Sequence, residues 1–215
     1  MRQSTIAILK DLEKRYPVLA SCRDEIARAA EIIIDTYKNG GKLLACGNGG
    51  SASDALHIVG ELMKSFVLKR PIREETVRAI HSVCDADADY LCKNLEGALP
   101  AIALVSETAL ITAYSNDAAP DLAFAQQVLG YGQRGDVLIA ISTSGNSANV
   151  IYAAEVARAL GVKVVSLTGQ GGGKLSLVSD CTVAVPDRET YRIQELHLPV
   201  YHTLCMAIEN EFFGA

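Results

Sequence analysis

A short apolar run, Leu43-Leu44-Ala45-Cys46, breaks into Gly47-Asn48-Gly49-Gly50-Ser51-Ala52-Ser53-Asp54 and resumes as Ala55-Leu56-His57-Ile58-Val59-Gly60-Glu61-Leu62. Few folds accommodate that change of rhythm. An apolar run bounded by turn residues predicts a buried strand, and the apolar spacing after it predicts a helix. The glycines between them let the backbone approach a ligand. Ser51, Ser53 and the unpaired amides of the helix N-terminus supply donors, and the helix dipole favours an anion there. The stretch therefore predicts a phosphate site at a strand-to-helix turn. His57 and Glu61, four residues apart, share one face of that helix about a turn beyond the loop.

The same grammar recurs down the chain. Asp136-Val137-Leu138-Ile139-Ala140-Ile141 predicts a strand that runs into Ser142-Thr143-Ser144-Gly145-Asn146-Ser147, followed by a helix from about Ala148 to Leu160. One residue suffices to cap a helix. Four hydroxyls in one turn exceed that need and point to a second phosphate cradle. Neither loop contains a lysine, so the nucleoside triphosphate signature is missing, and a neutral cradle suits a sugar monophosphate. Residues 47–52 also fit the loose dinucleotide pattern G-x-G-x-x-G/A. The acidic residue expected about 20 positions later is absent, since Lys69-Arg70-Pro71 stands there.

Further strands are predicted at Pro100–Leu104, Lys163–Leu167 and Cys181–Val185, with helices over Glu107–Tyr114 and Asp121–Leu129. Ser115-Asn116-Asp117 is expected to close the first of these helices. Strands alternating with helices predict an α/β fold, a doubly wound parallel sheet with helices on both faces, with ligands beyond the carboxyl ends of the strands. Two helices, Thr5–Tyr16 and about Arg23–Tyr37, precede the first strand. Each can pack on the sheet or form an oligomer interface. A long C-terminal helix is expected from about Arg192 to Phe213, with Pro199 as a kink or a late start. Residues 69–98 lose the apolar rhythm and are expected to be a solvated excursion, with at most a short helix at Asp87–Leu95. Within the C-terminal helix, His197 and His202 are five apart and point about 140° from each other, so at most one faces a given site. Glu195 is expected to pair with a neighbouring element.

The net charge of −5 gives no electrostatic footprint for nucleic acid or an acidic membrane. No apolar run approaches the roughly 20 residues of a membrane helix, and the charged N-terminus does not read as a signal peptide. A cytoplasmic protein is expected. The six cysteines form no C-x-x-C pair, and those in apolar runs are expected to be reduced and buried as small hydrophobes.

Cys46-Gly47-Asn48-Gly49-Gly50-Ser51, Ile141-Ser142-Thr143-Ser144-Gly145-Asn146-Ser147 and Arg192-Ile193-Gln194-Glu195-Leu196-His197 together resemble the sugar-isomerase (SIS) domain, and more narrowly the phosphoheptose isomerase family. The similarity extends from the first helix to about Phe213. It implies one SIS domain over residues 1–215, with N-terminal helices in 1–40, a five-stranded parallel sheet and the 69–98 segment as an insertion longer than in compact members. It implies a homotetramer with active sites between subunits, and isomerisation of sedoheptulose 7-phosphate to D-glycero-D-manno-heptose 7-phosphate for surface-glycan heptoses. By motif, Glu61 and His202 would be the catalytic pair. Zinc would be held by His57, Glu61, Gln194 and His202. Substrate would be contacted by Asn48, Gly49, Gly50, Ser51, Asn116, Asp117, Ser142, Thr143, Ser144, Ser147 and Gln194. Tyr191 stands where some members carry an aspartate, so that residue's role does not transfer. The resemblance also leaves a non-catalytic alternative: some SIS proteins bind the replication initiator DnaA or sense phosphosugars, and the initiator-binding ones lack counterparts of Glu61 and His202.

Overall fold

The computed structural model describes residues 1–214. Five strands, β1 (Leu43–Gly47), β2 (Ala101–Ala103), β3 (Val137–Ile141), β4 (Lys163–Thr168) and β5 (Cys181–Ala184), form a wholly parallel sheet in the order β2-β1-β3-β4-β5. Side chains alternate across the sheet, and the two sets enter different cores. Leu43, Ala45, Val137, Ile139, Val165 and Leu167 face one layer of helices. Leu44, Cys46, Leu138, Ala140 and Val164 face the other. Burial on both faces is why these strands are continuous apolar runs.

The first layer holds α1 (Gln3–Arg15), α2 (Arg23–Lys38), α3 (Gly50–Met63) and α9 (Thr190–Phe213). Ile26, Ala29, Ala30, Ile33 and Ile34 form the buried stripe of α2, so this helix packs on its own sheet. The thinner α1 buries only Thr5 and Leu12. The second layer holds α7 (Ala123–Tyr131) and α8 (Ala148–Ala159). Each aliphatic side chain taken fully from water contributes about 1.5–3 kcal/mol. Pro199 lies inside α9, which continues without a break to Phe213, so neither the late start nor an interruption occurs.

Two expectations need correction. Residues 69–98 contain not only α5 (Ala88–Asn94), which matches the short helix allowed at Asp87–Leu95, but also α4 (Glu74–Val83), where an unstructured excursion was expected. No residue of α4 is buried. Next, α6 runs Thr108–Asp117, so Asn116 and Asp117 form its last turn instead of following it.

The thiols of Cys46 and Cys205 are fully enclosed, and burial pushes each up to about 12. They remain protonated and act as small apolar groups. Glu195 is exposed; the α9 carboxylates that bridge to other elements are Glu209 and Glu211.

Candidate active site

In a sheet ordered β2-β1-β3, the chain leaves β1 and β3 toward opposite faces, and the crevice at that switch point is where such folds bind ligands. Both Ser/Gly loops end there. Asn48, Gly49, Gly50 and Ser51 from the β1 loop, and Ser142, Thr143 and Ser147 from the β3 loop, line one open cleft of ≈ 330 Å³ together with Thr190 and Gln194 of α9. Gly49 has φ 56°, a left-handed conformation that glycine adopts without strain. A Cβ on Gly50 would run into the Gln194 side-chain amide, so glycine there lets α9 close the cleft.

The two loops are tied together. Asn48 and Asn149 exchange amide hydrogen bonds, each donating Nδ2–H to the other's Oδ1 at 2.9 Å. Ser142 Oγ and Ser147 Oγ are 3.0 Å apart across the turn, which leaves each hydroxyl capacity for a ligand. Ser144 has a different task. Its Oγ accepts from the Asn146 amide at 3.1 Å, its carbonyl accepts from Asn146 Nδ2 at 2.8 Å, and it is absent from the cleft wall. Asn116 and Asp117 are also absent from that wall. They are exposed at the end of α6 and bond to each other, Nδ2 to Oδ1, at 2.9 Å. The same helix supplies Ile111 to a second cleft of ≈ 250 Å³ on the other side of Asn48 and Gly49.

A second cluster lies further along α3. Gln194 meets Gly50, and Tyr201 meets His57, so α3 and α9 run side by side in the same direction. His57 Nε2 is 3.1 Å from Glu61 Oε1, and Lys64 Nζ donates to Glu61 Oε2 at 3.0 Å. The His57 and His202 rings pack edge to face with centroids 4.8 Å apart. Burial, seconded by the neighbouring His57, pushes His202 below the ordinary imidazole value and keeps it neutral. Its Nε2 is buried with no hydrogen-bond partner among the described residues. His197 faces away, fully buried with Nε2 donating to the Thr168 carbonyl at 3.2 Å, and burial lowers it to about 4. One histidine of the pair faces the site, as the helical spacing requires.

Sequence reasoning missed Asn149, Thr190, Tyr201 and the buried pair Arg70–Glu209. Arg70 donates from Nε to Glu209 Oε1 at 2.7 Å, and from its two terminal nitrogens to the carbonyls of Leu62 at 2.7 Å and Glu61 at 2.8 Å. It thereby satisfies the Glu61 carbonyl at the end of α3 and shares the Leu62 carbonyl with the Leu99 amide. The available signal was Glu209 itself, a carboxylate in an apolar stripe of α9.

Two imidazoles and a carboxylate are donors of the kind zinc takes. Among the described residues, no three His, Cys, Asp or Glu side chains already converge as a metal cage. Gln194 precedes His202 by eight residues on an unbroken helix, about 12 Å along its axis. His57, Glu61 and His202 thus have the donor chemistry zinc takes and lie near one another without forming a preset cage, while Gln194 of the same chain belongs to the cleft.

The SIS domain family matches residues 12–90 and 88–169. The phosphoheptose isomerase of Aliarcobacter butzleri is 40% identical over 209 residues, covering 95% of this chain and 97% of that protein. The chain belongs to the phosphoheptose isomerase family of SIS-domain proteins. Solved structures of the family agree in fold. Phosphoheptose isomerase GmhA from Neisseria gonorrhoeae superposes with a TM-score of 0.71 at 35% identity, covering 96% of this chain and 94% of that one. The phosphoheptose isomerase from Francisella tularensis gives 0.72 at 33% identity, with 97% and 94% covered.

Proposed function

We propose that the chain isomerises sedoheptulose 7-phosphate to D-glycero-D-manno-heptose 7-phosphate, the first step toward activated heptoses for surface glycans. The observation that supports this most directly is the lysine-free cleft of hydroxyls and amides at the β1/β3 switch point, with a carboxylate–imidazole group on the same pair of helices. The cleft suits a sugar monophosphate, held by Ser51, Ser142, Thr143, Ser147 and the amides around Gly49 and Gly50.

Moving the carbonyl from C2 to C1 is redox-neutral within the sugar. Glu61 takes a proton from C1, the C–H electron pair becomes the C1–C2 double bond, and the C2 oxygen gains a proton. The resulting enediol then loses its O1 proton as C2 receives one, and the aldose forms. A base removes and returns the carbon-bound proton, and an acid balances charge on the oxygens. His202 is suited to the second task, because a neutral imidazole can hydrogen-bond the developing oxyanion and move a proton between O1 and O2. Zinc is proposed at His57, Glu61 and His202, with Gln194 of a different subunit as fourth donor; when bound it would polarise the carbonyl as a Lewis acid.

Helix geometry supports a site shared between subunits. Glu61 lies eleven residues beyond Gly50 on α3, about 16 Å along the axis. From phosphorus to C1 the substrate spans eight bonds, roughly 10 Å at about 1.2 Å per bond. With the Glu61 side chain reaching back toward the helix N-terminus, a substrate held in one chain's cradle meets that chain's Glu61 only at full extension, and a homotetramer pairing the cradle of one subunit with the acid–base group of another relaxes that demand. Incubation of the purified protein with sedoheptulose 7-phosphate should yield the aldoheptose phosphate. Light scattering should give a mass several-fold above the 22.9 kDa chain. An active species at the monomer mass would rule out the shared site.

A further inference from the structure

We propose that Tyr201 is a positioning residue for the reaction, acting through His57 on the carboxylate of Glu61. The inference rests on the reading of His57 and Glu61 as site residues. Tyr201 is 2% exposed on α9, one residue before His202. A buried tyrosine needs a partner for its hydroxyl, and most such partners are carbonyls of the surrounding core. This hydroxyl instead meets His57 Nδ1 at 3.0 Å. Burial, seconded by the charge of the nearby Asp54 carboxylate, pushes the Tyr201 hydroxyl's pKa up, so that Tyr201 stays protonated and can donate.

The proton positions follow from the partners. With no metal bound, Glu61 Oε1 faces His57 Nε2 and, as a carboxylate, can only accept, so Nε2 carries hydrogen. In the neutral ring Nδ1 is then the acceptor, and Tyr201 donates to it. A hydroxyl also accepts, so the contact survives a change of tautomer, Nδ1–H then donating to the Tyr201 oxygen and leaving Nε2 free for a metal. A line of contacts thus runs Tyr201–His57–Glu61. With Lys64 on Oε2, both oxygens of Glu61 are held.

Without this line little would hold the ring. The His57 side chain is 42% exposed, and an imidazole so placed rotates freely unless something grips it. The Tyr201 ring adds a second hold: it lies edge to face against His57 at 5.5 Å and against His202 at 5.0 Å between centroids. One buried side chain therefore orients both imidazoles that flank Glu61. Groups that must sit within a fraction of an ångström of the reacting atoms need such support.

Tyr201→Phe removes the hydroxyl and keeps the ring. It should lower kcat by about 3–10-fold while KM for the phosphosugar changes less than about twofold, because the cradle is untouched. His57→Ala should lower kcat by itself. In the His57→Ala background, Tyr201→Phe should add less than about twofold, since residues acting as one unit are not additive. A purely structural tyrosine would instead lower the unfolding temperature and give multiplicative losses, which would overturn the proposal. A normal kcat in Tyr201→Phe with a defective His57→Ala would overturn it too, and leave the site reading standing. A normal kcat in His57→Ala would overturn both.

Discussion

Arg70 and Glu209, separated by 139 positions, form an ion pair with both side chains 0% exposed and Nε 2.7 Å from Oε1. Glu209 also accepts the backbone amides of Phe66 at 2.8 Å, Val67 at 2.9 Å and Leu68 at 3.0 Å. The pair thus fastens the loop after α3 to α9, and through Arg70 it holds the turn of α3 that carries Glu61.

Removing one partner should therefore be costly. Glu209→Ala leaves a buried guanidinium and three amides without their acceptor, and losses of about 3–5 kcal/mol are typical of a broken buried pair. Denaturant unfolding should show this as a lower midpoint. A change below about 1 kcal/mol would mean that water enters and solvates Arg70.

At the cradle, Ser142→Ala and Ser147→Ala should each raise KM about 2–10-fold with little change in kcat, as expected for one neutral hydrogen bond to a non-reacting phosphate. Ser144→Ala should have a smaller effect, because that hydroxyl is engaged by the Asn146 amide. Steady-state kinetics on the three variants separates these roles. Equal effects at all three would place Ser144 in direct contact with the phosphate.

Glu61→Gln keeps the shape of the side chain and removes its capacity to take a proton. We expect kcat to fall by roughly 10²–10⁴-fold with phosphosugar binding retained. Solvent deuterium should then fail to enter C1 of the substrate. Normal exchange in this variant would assign the base to another residue.

Acid stability should depend on Glu211. Burial raises its carboxyl pKa, but the Arg2 amide, Lys38 and Thr5 outweigh this and hold it at about 2. A depressed folded-state value stabilises the protein above the ordinary carboxylate range and loses that contribution as pH falls from about 4.5 toward 2. With Lys38 half exposed, solvent limits the effect to on the order of 1–2 kcal/mol. Melting temperatures of wild type and Glu211→Gln should differ at pH 6 and converge as pH falls through 3 toward 2. A constant gap across that range would disprove the assignment.

How much was legible in the sequence depended on whether the signal was local. β1 and β3 could be read because an apolar run and its Ser/Gly loop are contiguous, and the cleft residues Asn48–Ser51, Ser142, Thr143 and Ser147 came with them. The helix α4 escaped although Val77, Ile80 and Val83 stand at helical spacing, because Pro71 and the charged run Arg73-Glu74-Glu75 at its start mask so short a stripe, which in the structure finds no core. Ser144 was grouped with its neighbours because hydroxyl density says nothing about direction, and only the fold shows its Oγ turned to Asn146. Tyr201 and Arg70 escaped for a different reason. Their meaning lies in partners 144 and 139 positions away, and no local pattern encodes a pairing at that range.

The adjacency of β1 and β3 has a consequence for how such a protein diversifies. Everything between the two Ser/Gly loops, from α3 through the α4–α5 segment to α6 and α7, departs from one side of the proposed phosphate grip and returns to the other. Beyond the first turn of α3, which is itself part of the grip, Asn48 and Asn149 latch the two ends to each other without help from the intervening chain. The handle by which the ligand is held and the surface that inspects the rest of it are thus separately inherited parts. Selection can rewrite the inspector while the handle stays fixed.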